Sequence, residues 1–149
     1  MYLQFRPVFQ VILSTLALVG LLSAANCGSS GGSGGEATVV NVDEHDFVIT
    51  PGSTSAPAGR VTFHVSNSSL EVHEFLVVKT DLAPDALPTA NFKYVENGPG
   101  TEVIDELSEI PPGTSKDLVI DLPAGSYVLL CNIMAFHYQL GMHAAFTVN

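Results

Sequence analysis

The strongest constraint in this chain is a period of two. In RVTFHVS, Val61, Phe63 and Val65 fall on one side, and Thr62, His64 and Ser66 on the other. A strand sends successive side chains to opposite faces, so the alternation describes a strand with one buried and one wet face, not a helix of period 3.6. Similar β-rich runs occur as ATVVNV, DFVIT, VHEFLVVK, KDLVIDL, SYVLLCN and HAAFTVN, separated by TPGSTSAPAG, NGPG, EIPPGTS and LPAG. Those separators are rich in the residues that turn a chain. No long segment carries helical periodicity. Seven to eight short strands within residues 37–149 predict an all-β fold, a two-sheet antiparallel sandwich with Greek-key connections. DLAPDALPTANFKYVENGPG is long for a hairpin and reads as a crossing loop with a helical turn at PDAL.

The first 36 residues have a different texture. Arg6 is the one basic side chain, Val8 to Leu22 is almost wholly apolar, and Ser23, Ala24 and Ala25 are small. That is the layout of an export signal over residues 1–26. The apolar run, about 15 residues, falls short of the ~20 that span a bilayer. Two processing routes fit: cleavage after Ala25, or lipidation of Cys27 within LLSAANC. The segment at 27–36, CGSSGGSGGE, reads as a flexible Gly/Ser linker, and a tether of this kind favours the lipidated, membrane-anchored form. The expected location is the periplasm or the outer face of the cell membrane.

Fifteen acidic residues oppose five Lys and Arg, a net charge of −10. Phosphate binding needs a basic face, so this balance argues against nucleic acid and favours a basic protein partner. The two cysteines, Cys27 and Cys131, stand in unrelated contexts and make no disulfide framework.

One stretch does not read as plain sheet. CNIMAFHYQLGMH, from Cys131 to His143, gathers a cysteine, two histidines and two methionines. A one-electron copper site uses a thiolate, two imidazoles and a weak axial thioether. Cys131-x5-His137-x4-Met142 supplies three of these from one loop between adjacent strands. His73, at the start of VHEFLVV, stands where the second imidazole is needed. Each residue alone has a plain alternative: Cys131 and Met142 as core, His73 as a hydrogen-bonded strand residue. All four types in this order favour a metal site. His45 reads as a solvated edge, His64 as part of a polar face, and His143 as facing away from Met142. Met134 is a second candidate for the axial position. Phe136, Tyr138 and Leu140 read as an apolar rim around His137, or as core.

These residues resemble the cupredoxins, the small blue copper proteins. The resemblance runs from Ala37 to Asn149 through AGRVTFHVSN, VHEFLVVKTDL, PPGTSKDLVIDLPAGSYVLLCN and HYQLGMHAAFTV. It implies one copper per chain, with His73, Cys131, His137 and Met142 as ligands, and His137 as the electron port. It also implies a monomeric single-electron carrier, not an enzyme, serving a redox partner such as a cytochrome or oxidase. An alternative with the same ligands is a copper chaperone, scavenger or sensor.

Two departures from the family pattern stand out. Met134, Ala135 and Phe136 replace the usual Pro-Gly before the loop histidine, lengthening the loop by one residue. Glu74 follows His73 where plastocyanin and azurin carry Asn. The histidine beside the cysteine that leads to a second copper in multicopper oxidases is missing, since Leu130 and Asn132 flank Cys131. A binuclear centre would need a second cysteine in the loop.

Overall fold

A computed structural model of the chain describes residues 37–149. The expected export signal, the linker and Cys27 lie outside the described residues. Eleven strands follow in order: β1 (Thr38–His45), β2 (Val48–Pro51), β3 (Ser55–Ala56), β4 (Gly59–Asn67), β5 (His73–Thr80), β6 (Thr89–Ala90), β7 (Lys93–Tyr94), β8 (Thr101–Ile110), β9 (Ser115–Leu122), β10 (Gly125–Leu130) and β11 (His143–Val148). There is no helix among the described residues. The expected helical turn at PDAL is a single turn closed by Ala86 N–H donating to Ala83 O at 2.9 Å.

One sheet has the order β2-β1-β4-β9 and the other β3-β11-β10-β5-β8, with β6-β7 a separate hairpin. Alternation places Val40 and Val42 of β1, Val61, Phe63 and Val65 of β4, and Leu118, Ile120 and Leu122 of β9 in the core. They meet Phe75, Val77, Tyr127, Leu129, Phe146 and Val148 from the second sheet. Phe63 sits at the centre, its ring 5.3 Å from those of both Phe75 and Phe146. Offset and edge-on aromatic pairs of this kind add about 0.5–1.5 kcal/mol each beyond the area they bury.

The sandwich is the expected one, with two differences. The sheets are mixed, because β1 runs parallel to β4 and β3 parallel to β11. The parallel pairing arises because the chain runs from β1 through β2 and β3 before returning as β4. There are also more strands than the seven or eight expected. Three of the extra ones are two-residue bridges. The fourth, β8, escapes pattern reading because TEVIDELSEI is largely exposed along its length. It forms an edge of its sheet, and its Glu102, Asp105, Glu106 and Glu109 are the kind of charges that keep an open edge from pairing with another chain.

The second sheet is also covered on its outer face. Leu76, Val78, Val128 and Leu130 point outward there and are buried by Leu87, Tyr94 and Tyr138. The crossing loop is tied down by the Tyr138 hydroxyl, which accepts from Leu87 N–H at 2.9 Å and donates to Pro84 O at 2.7 Å. Strands β5 and β10 are thus buried on both faces, and they carry His73 and lead into Cys131.

Candidate metal centre

Cys131 follows β10 directly, continuing the inward series of Tyr127 and Leu129. The antiparallel pairing of Leu130 with Leu76 brings it beside the start of β5. Its sulfur accepts a hydrogen bond from Glu74 N–H at 3.4 Å. His73 Nδ1 lies 3.7 Å from that sulfur and His137 Nδ1 3.4 Å. The donor atoms of the three residues all lie within 4.8 Å of one another, and all three residues are buried.

Main-chain bonds close the loop from Cys131 to Met142. Cys131 N–H donates to Met142 O, and Met142 N–H donates to His137 O, both at 3.1 Å. These two bonds hold the Met142 backbone against both loop residues, and the Met142 side chain is fully buried in the inter-sheet core. Gly141 precedes it at φ +116, and a Cβ there would come within 3.4 Å of Phe47 O. A side chain would therefore be both strained and crowded at this position.

Within this loop Phe136 takes a left-handed conformation, φ 78. Phe136 N–H donates to Phe92 O at 2.9 Å, and the two rings stack at 4.5 Å. Phe92 itself lies in the two-residue β6-β7 turn with φ 65, next to Asn91 at φ 51. Two positive φ values suit that hairpin turn, although a phenylalanine in the left-handed region is unusual.

Burial controls the protonation of the cluster. It pushes the Cys131 thiol up to about 12, more than Glu74 N–H and the backbone near Ile133 draw it down. His73 and His137 are both held below the usual histidine range, first by burial. The resting site therefore presents a thiol and two neutral imidazoles at neutral pH. A thiolate and two imidazole nitrogens beside a buried thioether residue form a soft, copper-type donor set.

The structure brings together the donor atoms of His73, Cys131 and His137, and the Met142 backbone is bonded to Cys131 and His137; the other candidates lie elsewhere. His143 points to the outer side, its ring 5.2 Å from Tyr138. His64 pairs with Asp117 at 2.6 Å on the exterior. Met134 is 55% exposed, away from the buried cluster. His137 is only 2% exposed. Phe47 meets it edge-on at 5.4 Å, and Glu71 Oε2 lies 3.7 Å from its Nε2. Phe136 and Leu140 are exposed, whereas Tyr138 is core.

Three neighbouring residues were missed by sequence reasoning. Ser69 contacts His73 Nε2 at 2.8 Å and Glu71 approaches His137, but SNSSLE signals only a turn. Glu44 is fully buried with neither carboxyl oxygen hydrogen-bonded, and burial together with Glu74 and Asp43 pushes it up to about 9. Its signal was present: Val40, Val42 and Glu44 share one face of β1.

Comparison with solved structures agrees with this architecture. A reduced auracyanin from Roseiflexus castenholzii superposes with a TM-score of 0.57 at 22% identity, covering 76% of this chain and 98% of that one. The fold is that of the cupredoxins. Auracyanin A, a "blue" copper protein from Chloroflexus aurantiacus, gives 0.55 at 23% identity over 75% of this chain and 98% of its own. An azurin from Methylomonas sp. strain J gives 0.53 at 14% identity, with 75% and 98% covered. No protein-family model and no curated protein sequence matches the chain.

Proposed function

We propose that this cupredoxin-fold chain is an exported carrier of single electrons that binds one copper ion through His73, Cys131, His137 and Met142. The observation that carries this reading is the buried Cys131 sulfur with an Nδ1 of His73 at 3.7 Å and of His137 at 3.4 Å, the donor atoms of all three residues lying within 4.8 Å of one another. The copper proteins of the same fold lend it support. Copper would supply a one-electron couple, Cu(II)/Cu(I).

The chain's own residues do the rest. Cys131 gives up its proton when the metal loads, and Glu74 N–H helps to hold the resulting charge on sulfur. Strands β5 and β10, buried on both faces, fix His73 and Cys131. The Cys131–Met142–His137 main-chain bonds fix the loop, so little rearrangement opposes electron exchange. This firm closure favours a carrier over a chaperone or sensor that must release its metal readily. The acidic surface suits a basic redox partner, with association that slows as salt is added. Lipidation of Cys27 would keep the domain at the outer face of a membrane.

Addition of Cu(II) to the purified protein, followed by visible spectroscopy, tests the reading. An intense thiolate-to-copper charge-transfer band at one equivalent is expected. A colourless protein would refute the assignment.

A further inference from the structure

We propose that the Asn67–Glu71 segment sets the tautomer of both imidazoles and, through the Glu71 carboxylate, favours the oxidised state of the bound metal. This rests on the copper reading, and it makes Ser69 and Glu71 positioning residues.

Asn67, at the end of β4, is only 2% exposed. Its Nδ2 donates to two backbone carbonyls, Glu71 O at 2.7 Å and Ile110 O at 2.8 Å. Carbonyls only accept, so the amide has one orientation and its Oδ1 must be an acceptor. That oxygen takes Ser69 N–H at 2.9 Å and the Ser69 hydroxyl at 2.7 Å. Glu71 O, at 3.0 Å, is a second acceptor for that hydroxyl, and since both oxygens only accept, the single hydroxyl proton is directed to them. Ser69 Oγ is left to accept, from Glu71 N–H at 3.1 Å and from His73 Nε2 at 2.8 Å. His73 must then carry its proton on Nε2, which leaves the lone pair of Nδ1 facing the Cys131 sulfur.

The same segment acts on His137. Its Nε2 faces the Glu71 carboxylate, which in its ionised form can only accept, so the proton belongs on Nε2 and the lone pair on Nδ1. At 3.7 Å the approach is ionic more than hydrogen-bonding. A carboxylate behind a ligating imidazole makes that ligand more basic, favouring the more highly charged metal. One short turn thus holds both rings from behind, with Ser69 at one and Glu71 at the other.

The test uses the full chain. In the metal-free protein, long-range 1H–15N correlation should show His73 purely as the Nε2–H form. Ser69→Ala should give a tautomer mixture, and Ser69→Thr should restore the single form. In the copper-loaded protein, Glu71→Gln should move the Cu(II)/Cu(I) equilibrium towards Cu(I) by roughly tenfold, about 59 mV for one electron. That shift should shrink with added salt, because the Glu71 side chain is 59% exposed. A wild-type potential in Glu71→Gln, or a single Nε2–H tautomer in Ser69→Ala, would overturn the proposal. Glu71 is at the surface, so its variant keeps the fold even if Ser69→Ala does not. Failure of the wild type to take up copper would defeat the copper reading alone, and the metal-free tautomers would still decide this one.

Discussion

The two faces of the second sheet carry neighbouring residues to opposite ends. His73, Cys131 and Met142 turn inward, and the residues immediately after them, Glu74, Asn132 and His143, turn outward. On the inner face the polar groups point at one another with sulfur and nitrogen lone pairs. On the outer face the Asn132 amide is used up in holding the chain. Asn132 Oδ1 accepts from Tyr94 N–H at 2.8 Å while its Nδ2 donates to Tyr94 O at 3.1 Å, fastening the β6-β7 hairpin. A strand keeps chemistry and scaffold one residue apart, and a slip of a single position would exchange them.

The largest effect should come from breaking the inner set. Cys131→Ser replaces the soft anionic donor with an alcohol. Complete loss of the charge-transfer band is expected, with the β-sheet circular dichroism of the domain unchanged. Persistence of the blue colour would remove Cys131 from the site.

A second large effect concerns Glu44, the inner-face carboxyl without a partner. Its folded pKa of about 9 lies well above the ~4.3 of an exposed glutamate. Below pH ~4 both folded and unfolded chains hold this proton and there is no penalty. As pH rises towards 9 the unfolded chain ionises first, so the metal-free protein should lose stability by about 1.4 kcal/mol per pH unit from this group. Glu44→Gln should flatten that slope and stabilise the protein at pH 7. Urea midpoints between pH 5 and pH 8 would check this, below the range in which the Cys131 thiol contributes. Equal slopes in the two proteins would mean that the carboxyl has a partner in solution.

The outer face should answer in stability alone. Asn132→Ala leaves Tyr94 N–H and O without their partner and should destabilise the fold by about 1–3 kcal/mol. The copper spectrum should keep its position. Thermal melts set against spectra of the same samples would separate the two faces directly.

The smallest effects sharpen the contrast at Met142 and His143. Met142→Leu should keep copper and raise the reduction potential, since losing a weak donor disfavours Cu(II), and Met142→Gln should lower it. His143→Gln, one residue further on but facing outward, should leave the potential unchanged. Voltammetry of the three variants, with Met134→Leu as a fourth, would show which methionine the metal senses.

Much of this was legible in the sequence, because a period of two is also a statement about depth. Val61, Phe63 and Val65 reported the core, and the order of His73, Cys131 and His137 reported three donors that the fold brings together. Pattern reading failed where depth was not set by alternation. β8 sends Ile104, Leu107 and Ile110 to the core, but register shifts opposite His73–Phe75 and Val77–Val78 break its alternation. Phe47, distant in sequence and half-exposed, meets the His137 ring edge-on from a left-handed backbone position. Ser69 and Glu71 lie in a turn whose composition suits many surface loops, and only folding places it behind both rings. Glu44 was readable by parity, but charge made it look like surface.

Two main-chain hydrogen bonds close the segment from Cys131 to Met142, Cys131 N–H to Met142 O and Met142 N–H to His137 O. Their consequence is modularity. The segment between Cys131 and Met142 is a ring with a narrow neck, spliced into the sandwich between β10 and β11, and the neck does not depend on which side chains fill the ring. The stretch Met134-Ala135-Phe136 swings outward, where Phe92 catches it by stacking on Phe136. Chains of this architecture can therefore vary the span between cysteine and histidine without redesigning the body beneath. The loop behaves as an interchangeable cassette, and grafting a shorter ring between the same two strands should leave the sandwich intact.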